Sequence, residues 1–504
     1  MRSAPLPDGL RPHRPLPAAT NGNRLTLAWA PSHDGTMPAS LELDDDRLLP
    51  ADPQTRAVAR GLYAGVADLP ILSPHGHVDP RLLLEDEPFP DPAELLITRD
   101  HYVTRLLHAG GVDLAEVGAG TAADADPRTI WRRFAENWHL FAGTASGYWL
   151  AHEFVTLFGL DVEPAADTAD ALYDAIATRL ADPAYRPRAL FERFGIEVLA
   201  TTDDPLDDLA AHAALAQDTS FRGRVLPTFR PDAYLDPAAS DFTARVERLT
   251  AAHGTAVDDF AGYLEALEAR RAHFVAHGAV SADHGVRDPY TVDLSEDEAA
   301  RLYRRAVAGE LDPTGAREFR GNMLLRMAGM SARDGLVMTI HPGVHRNHST
   351  ATFDRFGADT GHDIPLTTTY TENLRPLLER HGLAPGLHIV LFTVDETVYS
   401  REVAPLAGFY PSVFIGAPWW FLDAPDAVQR FRAAVTETAG FYRGAGFIDD
   451  TRAFLSIPAR HDMARRLDAG FLARLVREGR IPLARAERIA IDLVDSIPRK
   501  AFKL

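Results

Sequence analysis

The sequence predicts an α/β protein built on a (β/α)8 barrel of the TIM type. Short apolar runs recur along the chain, and each run stops at a polar or charged residue. Helix-like stretches separate most of these runs, which is the alternation expected for parallel strands joined by crossover helices. Functional groups of such barrels gather at the carboxyl ends of the strands. The residues that end the runs are therefore the candidate site.

Eight apolar runs supply the eight predicted strands. The runs are Leu69–Pro74, Gly195–Ala200, Arg224–Phe229, Gly278–Val280, Gly335–Ile340, Leu387–Phe392, Val413–Gly416 and Gly446–Ile448. The helix-like stretches between them cover residues 205–217, 256–277, 296–308, 369–381 and 424–439. The fourth run is the weakest, because it is short and is followed at once by polar residues.

The spacing of the runs predicts the domain organisation. Residues 51–80 and 195–504 are expected to form the barrel with its C-terminal helices. The gap between the first and second strands is too long for one crossover, so residues 81–194 are expected to form an inserted helical subdomain. Residues 1–50 are largely rich in Pro, Arg and Asp and have no continuous apolar segment. They are expected to be a loosely ordered N-terminal extension.

The amino-acid composition argues against several classes of partner and restricts the residues that could bind a metal. The net charge of −19 argues against nucleic acid or an anionic membrane surface as a partner. No apolar run approaches the roughly 18 residues of a membrane span, so a cytoplasmic location is expected. Cysteine is absent, so any metal must be bound by His, Asp or Glu. Lysine occurs only at Lys500 and Lys503, which leaves no internal lysine to bridge two metals and favours a mononuclear site.

The end of the first run carries the clearest metal-binding signal. His75 and His77 are two residues apart in Ser73-Pro-His-Gly-His77. Residues with this spacing on an extended chain point to the same side, so both imidazoles can reach one divalent ion. Two loop histidines without a ligand would have the same pattern. The polar ends of the other runs favour the metal site.

Several motifs together resemble uronate (glucuronate) isomerase, a family of the amidohydrolase superfamily, from about Asp52 to the C-terminus. The motifs are His75-Gly-His77, Asp100-His101-Tyr102, Thr201-Thr-Asp-Asp-Pro205, Phe229-Arg-Pro-Asp232, Asp283-His-Gly285, His341-Pro-Gly, Arg346-Asn347, Trp419-Trp-Phe421 and Asp450-Thr-Arg452-Ala-Phe-Leu-Ser456. The chain departs from the family pattern at Ser73, where the family is usually acidic, and at the additional histidines His345 and His348.

The resemblance implies an aldose–ketose isomerase that interconverts hexuronates through an enediol, such as D-glucuronate with D-fructuronate and D-galacturonate with D-tagaturonate. It also implies a homo-oligomer. One zinc ion per chain would be bound by His75, His77 and Asp450. Asp450 would also be the base, and Arg452 would stabilise the developing oxyanion. An ion pair between these last two residues is the structural alternative.

The remaining roles follow from the same resemblance. Tyr102 would be the proton shuttle, unless it is an ordinary buried tyrosine of the insertion. Arg230 would bind the substrate carboxylate, because a planar guanidinium matches a carboxylate. His341 is expected to contact the substrate, with metal binding as the alternative. His101 and Asp283 would bind hydroxyl groups or support other site residues, or would be plain loop residues.

Two other functions compete with isomerisation. A mononuclear metal-dependent amidohydrolase, a deaminase or lactonase, would use His75, His77, His341 and Asp450 to activate water. The arginines Arg230 and Arg452 argue against it, because a sugar-acid isomerase needs cationic anchors and a water-activating site does not. A non-catalytic barrel is the second competitor, and the full set of candidate residues argues against it.

Overall fold

The computed structural model describes residues 39–120 and 125–504. Most of the segment expected to be a loosely ordered extension lies outside these residues. No helix of the described ranges has the length and apolar character that a membrane span needs.

Ten short strands are found in the described ranges. They are β1 Ile71–Ser73, β2 Ile196–Ala200, β3 Arg224–Leu226, β4 Thr228–Phe229, β5 Ser281–His284, β6 Val337–Ile340, β7 Val344–His345, β8 Ile364–Pro365, β9 Ile389–Leu391 and β10 Val413–Ile415. All are parallel to their neighbours except β7 and β8, which form a small antiparallel hairpin above the carboxyl end of β6.

The parallel strands form the barrel. Their order is β1-β2-β3 in one sheet and β4-β5-β6-β9-β10 in the other. The two sheets meet at Pro227, which has no N–H to continue the ladder. Residues 444–451 close the circle: Ala445 N donates to Ile415 O of β10 at 2.9 Å, and His77 N donates to Thr451 O at 3.0 Å. The barrel fold predicted from the sequence is thus confirmed.

Two of the predicted strands differ from the observed ones. The fourth strand is Ser281–His284 rather than Gly278–Val280, because the polar side chains of Asp283 and His284 are buried with partners and do not end the strand. The eighth run, Gly446–Ile448, has no strand ladder and is connected to β10 through a single bridge at Gly444. It nevertheless occupies the eighth position.

Helices cover the barrel and connect its strands. Before β1 lies α1 Pro53–Ala64, and between β1 and β2 lie α2 Pro80–Glu85, α3 His101–Ala109, α4 Pro127–Glu136, α5 Ala145–Thr156, α6 Ala169–Leu180 and α7 Pro187–Arg193. The later crossovers contain α8 Ala210–Gln217, α9 Asp232–Leu235, α10 Phe242–His253, α11 Phe260–Ala276, α12 Glu296–Val307, α13 Pro313–Asp334, α14 Thr350–Phe356, α15 Arg375–His381, α16 Ala404–Phe409 and α17 Pro425–Ala439. The chain ends with α18 Ile457–Arg477, α19 Leu483–Val494 and α20 Ser496–Phe502.

The helices between β1 and β2 share a hydrophobic core with the barrel. Ile71 of β1 and Leu199 of β2 belong to the same buried cluster as Trp131 and Phe154 of the insertion. Asp100 caps α3, since its side chain accepts a hydrogen bond from Tyr102 N at 2.8 Å. This cap fixes the start of the helix that faces the barrel mouth.

Candidate active site

A cavity of about 660 Å³ opens at the carboxyl ends of the barrel strands. Polar residues from strand ends, from the insertion and from the C-terminal helix line it together. Among its lining residues are His75, His77, His101, Tyr102, Arg230, His341, Arg346, Asp359, Trp420, Asp450, Arg452 and Arg460. Within the described ranges, Asp283 is the one sequence-predicted site residue that does not line the cavity.

Two imidazoles and one carboxylate meet on the barrel side of the cavity. Asp450 Oδ1 lies 3.3 Å from His75 Nε2 and 3.0 Å from His77 Nε2. One ligand atom from each residue lies within 4.8 Å of the others. Asp450 Oδ1 is buried, yet it accepts no hydrogen bond with regular geometry from the described part of the chain. Three atoms that converge without satisfying one another fit a divalent ion as their common partner.

A hydroxyl group orients the imidazole of His77. His77 Nδ1 lies 2.6 Å from Thr202 Oγ1, and the same hydroxyl is 3.1 Å from Gly76 O. His75 Nδ1 lies 4.0 Å from Asp283 Oδ1. The Thr202 contact fixes the ring of His77 and directs its Nε2 into the site, as such partners do around metal-bound histidines, whereas His75 Nδ1 has no hydrogen-bond partner in the described part of the chain.

Burial and neighbouring charges shift the pKa values of the three residues in this cluster. Burial alone would raise the pKa of Asp450, but His75 and His77 hold that pKa well below its usual range. Burial lowers the pKa of His77, and the opposing effect of Asp450 does not overcome it. Burial also acts on His75, but Asp283 and Asp450 outweigh it and raise the His75 pKa. Because only a neutral imidazole binds a metal, an ion bound here would compete with protonation of His75.

Arg230 lies beside this cluster within a network of carboxylates. Its Nε donates to Asp232 Oδ2 at 3.1 Å and lies 3.6 Å from Asp283 Oδ2. Asp283 is fully buried and also accepts from His341 Nε2 at 2.7 Å. A Cβ at Gly285 would lie 2.6 Å from His341 Cε1, so glycine is required at this close approach. The five residues His75, His77, Arg230, His341 and Asp450 are called the strand-end wall below.

A second part of the cavity lining is formed by helices and a loop. His101 stacks on Tyr102 with ring centroids 5.1 Å apart, and its ring lies edge-on to Trp420 at 5.8 Å. Tyr102 OH lies 3.0 and 3.1 Å from the two oxygens of Asp423. Burial, followed by the Asp423 charge, raises the pKa of Tyr102 well above its ordinary value. The four residues His101, Tyr102, Trp420 and Arg460 are called the helical wall.

Two further arginines lie at the cavity rim. Arg452 is partly exposed and lies 3.5 Å from Asp359, whereas the carboxylate of Asp450 faces the imidazoles. Arg346 pairs with Asp363 at 2.8 Å, and its guanidinium lies 4.7 Å from the Trp420 ring centre. The ion pair between Arg452 and Asp450, the alternative raised by the sequence, is therefore replaced by a pair with Asp359.

Left-handed backbone is concentrated at the cavity. Asp450 has φ 41°, and the consecutive residues Trp420 and Phe421 have φ 35° and 66°. Asn347 and Asp359, also at the cavity, have φ 53° and 62°. Such conformations cost about 1–3 kcal/mol each in non-glycine residues and cluster at functional sites. Asp and Asn tolerate them best, whereas bulky residues such as Trp are true outliers.

The barrel architecture, with His-x-His after the first strand and an aspartate at the eighth position, defines an enzyme of the amidohydrolase type. Comparison with known proteins then identifies the family. The sequence model of the glucuronate isomerase family matches residues 51–498, and the chain belongs to this family.

Individual relatives agree with the assignment. A uronate isomerase of Corynebacterium efficiens is 53% identical over 460 residues, which are 91% of this chain and 98% of the relative. The crystal structure of glucuronate isomerase from Caulobacter crescentus has a TM-score of 0.90 and 49% identity, covering 92% of this chain and 98% of that one. A uronate isomerase structure from Thermotoga maritima has a TM-score of 0.86 and 27% identity, covering 92% and 99%. The chain is therefore an isomerase, and the hydrolase alternative is not favoured.

Three residues at or behind the cavity lining were missed by sequence reasoning; Thr202 and Arg460 line the cavity, and Asp423 does not. Thr202 orients His77, and Asp423 and Arg460 lie behind Tyr102. Asp423 follows the Trp-Trp-Phe motif by two positions, which was the available signal. Arg460 lies inside a helix that the sequence indicated only as a closing element, so nothing local distinguished it.

Proposed function

We propose that this enzyme interconverts an aldose hexuronate and its ketose isomer through an enediol, D-glucuronate with D-fructuronate or D-galacturonate with D-tagaturonate. The observation that carries the proposal is that a guanidinium, Arg230, and a His–His–Asp cluster share one cavity of about 660 Å³. A sugar acid needs a cationic anchor as well as proton-transfer groups, and the cavity offers both.

One divalent ion would be bound by His75, His77 and Asp450, with zinc as the expected metal for these nitrogen and oxygen donors. When bound, it would polarise substrate oxygens and lower the energy of negative charge on them. The support for this site is the convergence of the three ligand atoms and the orientation of His77 by Thr202.

The proton transfers would be performed by groups of this chain. Asp450 would take the proton from C2 and return it to C1, because its carboxylate is kept ionised by the imidazoles beside it. Arg452 would stabilise the negative charge that develops on the substrate oxygens. Tyr102 would exchange protons with these oxygens. No other tyrosine among the described residues lines the cavity.

Arg230 would bind the distant carboxylate of the substrate. Its Nε is already engaged with Asp232, so the two terminal NH2 groups are the ones directed to a ligand, in the bidentate geometry that carboxylates prefer. His101 and His341 would contact hydroxyl groups. Asp283 would position other site residues and would not contact the substrate. It accepts a hydrogen bond from His341 and lies close to Arg230 and His75.

The test is product analysis by NMR with D-glucuronate, D-galacturonate and a neutral hexose as control. The expected result is formation of the ketose acid from at least one hexuronate, with no conversion of the neutral sugar, because only an acid can use Arg230. Failure to convert any hexuronate would contradict the proposal. Homo-oligomerisation and a cytoplasmic location stay predictions.

A further inference from the structure

The Tyr102 hydroxyl is hydrogen-bonded to Asp423, a residue that does not line the cavity. Its oxygen lies 3.0 and 3.1 Å from the two carboxylate oxygens of Asp423. A phenol has a single proton to donate, and a carboxylate can only accept. The proton of Tyr102 therefore points to Asp423 and away from the space that a substrate would fill.

Asp423 is itself fixed in place. Arg460 Nη1 donates to Asp423 Oδ2 at 2.9 Å and lies 3.4 Å from Asp449 O, and Arg460 Nε donates to Ser456 Oγ at 3.0 Å. The Arg460 guanidinium lies 3.5 Å from the centre of the Trp149 ring, a favourable cation–π contact. Asp423 is 4% exposed and Arg460 is 2% exposed. This buried pair leaves the Asp423 carboxylate little freedom to turn elsewhere.

The loop before Asp423 also engages the phenol. Phe421 N donates to Tyr102 OH at 3.3 Å, and it reaches this position through the two left-handed residues Trp420 and Phe421. The phenolic oxygen can accept two hydrogen bonds. One is used by Phe421, so a single acceptor position is left for the cavity. Strained backbone that serves one hydrogen bond is typical of a functional constraint.

We propose that Asp423, anchored by Arg460, is a positioning residue that turns the Tyr102 proton away from the cavity, so that Tyr102 meets the substrate as a proton acceptor. The proposal rests on the proposed isomerase function. It differs from a structural role for the ion pair, because Asp423 then acts on turnover only through Tyr102.

The proton balance closes without any other reactant. As Tyr102 takes the proton of the substrate O2 hydroxyl, the bond from Tyr102 oxygen to its own proton breaks and that proton passes to Asp423. When O1 needs a proton to complete the ketose, Tyr102 donates one and recovers one from Asp423. Tyr102 and Asp423 end as they began, and the C2 hydrogen is moved separately by Asp450.

A double-mutant cycle tests this coupling. Asp423→Asn should lower kcat by at least roughly tenfold, with the KM for the hexuronate within about threefold of the parent. In a Tyr102→Phe background the same substitution should change kcat by less than about twofold, because its route to the substrate is gone. Multiplicative effects in the cycle, or a parental kcat for Asp423→Asn, would overturn the proposal.

Two companion variants separate positioning from stability. Asp468→Asn breaks a comparable buried pair with Arg432, at 2.5 and 2.8 Å, outside the cavity. It should lower stability and leave kcat at the parental value. If Asp423→Asn does not fold, the double variant Asp423→Asn/Arg460→Gln, which removes both charges, replaces it. Because Arg460 also lines the cavity, Arg460→Gln alone is then the reference in both backgrounds, and the added effect of Asp423→Asn has the same expected and contradicting results.

A spectroscopic readout distinguishes failure of this inference from failure of the proposed function. In protein labelled with [13Cζ]tyrosine, the Tyr102 resonance is assigned by its disappearance in Tyr102→Phe. It should move in Asp423→Asn and stay in place in Asp468→Asn. An unmoved resonance overturns the positioning role whatever the activity. A moved resonance in a parent enzyme that converts no hexuronate supports the hydrogen bond while contradicting the function.

Discussion

The two walls of the cavity are built by different means. Residues of the strand-end wall follow barrel strands or, for Asp450, the segment at the eighth barrel position. Short contacts with neighbouring strand ends hold some of them, such as His341 with Asp283. The helical wall comes from helices and a loop outside the barrel strands, and its Tyr102 is held by Asp423, which is 321 residues away in sequence. The first wall follows from the fold itself, whereas the second depends on particular long-range ion pairs and on strained loop backbone. Substitutions on the two walls should therefore fail in different ways.

The largest effect is expected at the metal cluster of the strand-end wall. His75→Ala combined with His77→Ala should remove about one equivalent of divalent ion per chain, since two of three ligands are lost. Elemental analysis of the purified protein measures it. The matched control is His345→Ala with His348→Ala, a histidine pair with ring centroids 5.2 Å apart outside the cluster. Equal metal content in the two double variants would contradict the assigned ligands.

The second largest effect is expected at Asp450, the proposed base in the same wall. Asp450→Asn should reduce turnover by at least roughly a hundredfold, the usual contribution of a general base, while Asn tolerates the left-handed backbone at this position. Rates of ketose formation by NMR measure it, together with deuterium entry at C1 in heavy water, which is expected to be partial in the parent. Near-parental turnover would remove Asp450 from the role of base.

Arg230 tests whether the strand-end wall also anchors the substrate. Arg230→Met should weaken hexuronate binding by about 1.5–3 kcal/mol through loss of a charge-assisted contact, with the fold retained. The measurement is KM, with Arg346→Met as the comparison at the rim. If Arg346→Met alone raises KM, the substrate carboxylate binds to Arg346 at the rim and not to Arg230 in the strand-end wall.

The smallest effect concerns a buried acid behind the helical wall. Burial, together with Asp100, raises the pKa of Glu153 from 4.5 to about 8. In the unfolded chain the acid ionises near pH 4.5, so the folded state loses stability from this group as pH rises from about 4.5 to 8 and not below that range. Glu153→Gln should raise the free energy of unfolding by about 1–3 kcal/mol at pH 8 and by almost nothing at pH 4.

Thermal unfolding midpoints at the two pH values measure this change. Glu487→Gln, on an exposed position of α19, is the control and should show no gain at either pH. A gain for Glu153→Gln that is equal at both pH values would show that packing, and not ionisation, is responsible.

The contrast between the walls also explains what the sequence could predict. His75, His77, Arg230, His341 and Asp450 were found because parallel strand ends meet at one edge, so a local pattern implied a shared location. The actual fourth strand, Ser281–His284, was missed because its Asp and His seemed to end the strand. Their burial is compensated by partners such as Thr339, which no local pattern reveals.

The helical wall was less predictable for a physical reason. Asp423 and Arg460 are 37 residues apart and both contact regions far from them in sequence. An ion pair of this kind leaves no periodicity and no motif spacing. The family resemblance supplied Tyr102 but not the two residues that hold it.

The left-handed residues at the cavity have a consequence for engineering. The consecutive residues Trp420 and Phe421 keep a backbone that glycine would adopt more readily. Selection for heat resistance alone should therefore find gains by relaxing this loop, since strain of about 1–3 kcal/mol per residue would be recovered. Because the same loop holds the Tyr102 hydroxyl, such thermostable variants should turn over more slowly. At the rim of this barrel, a gain in thermal stability is therefore expected to lower the turnover rate.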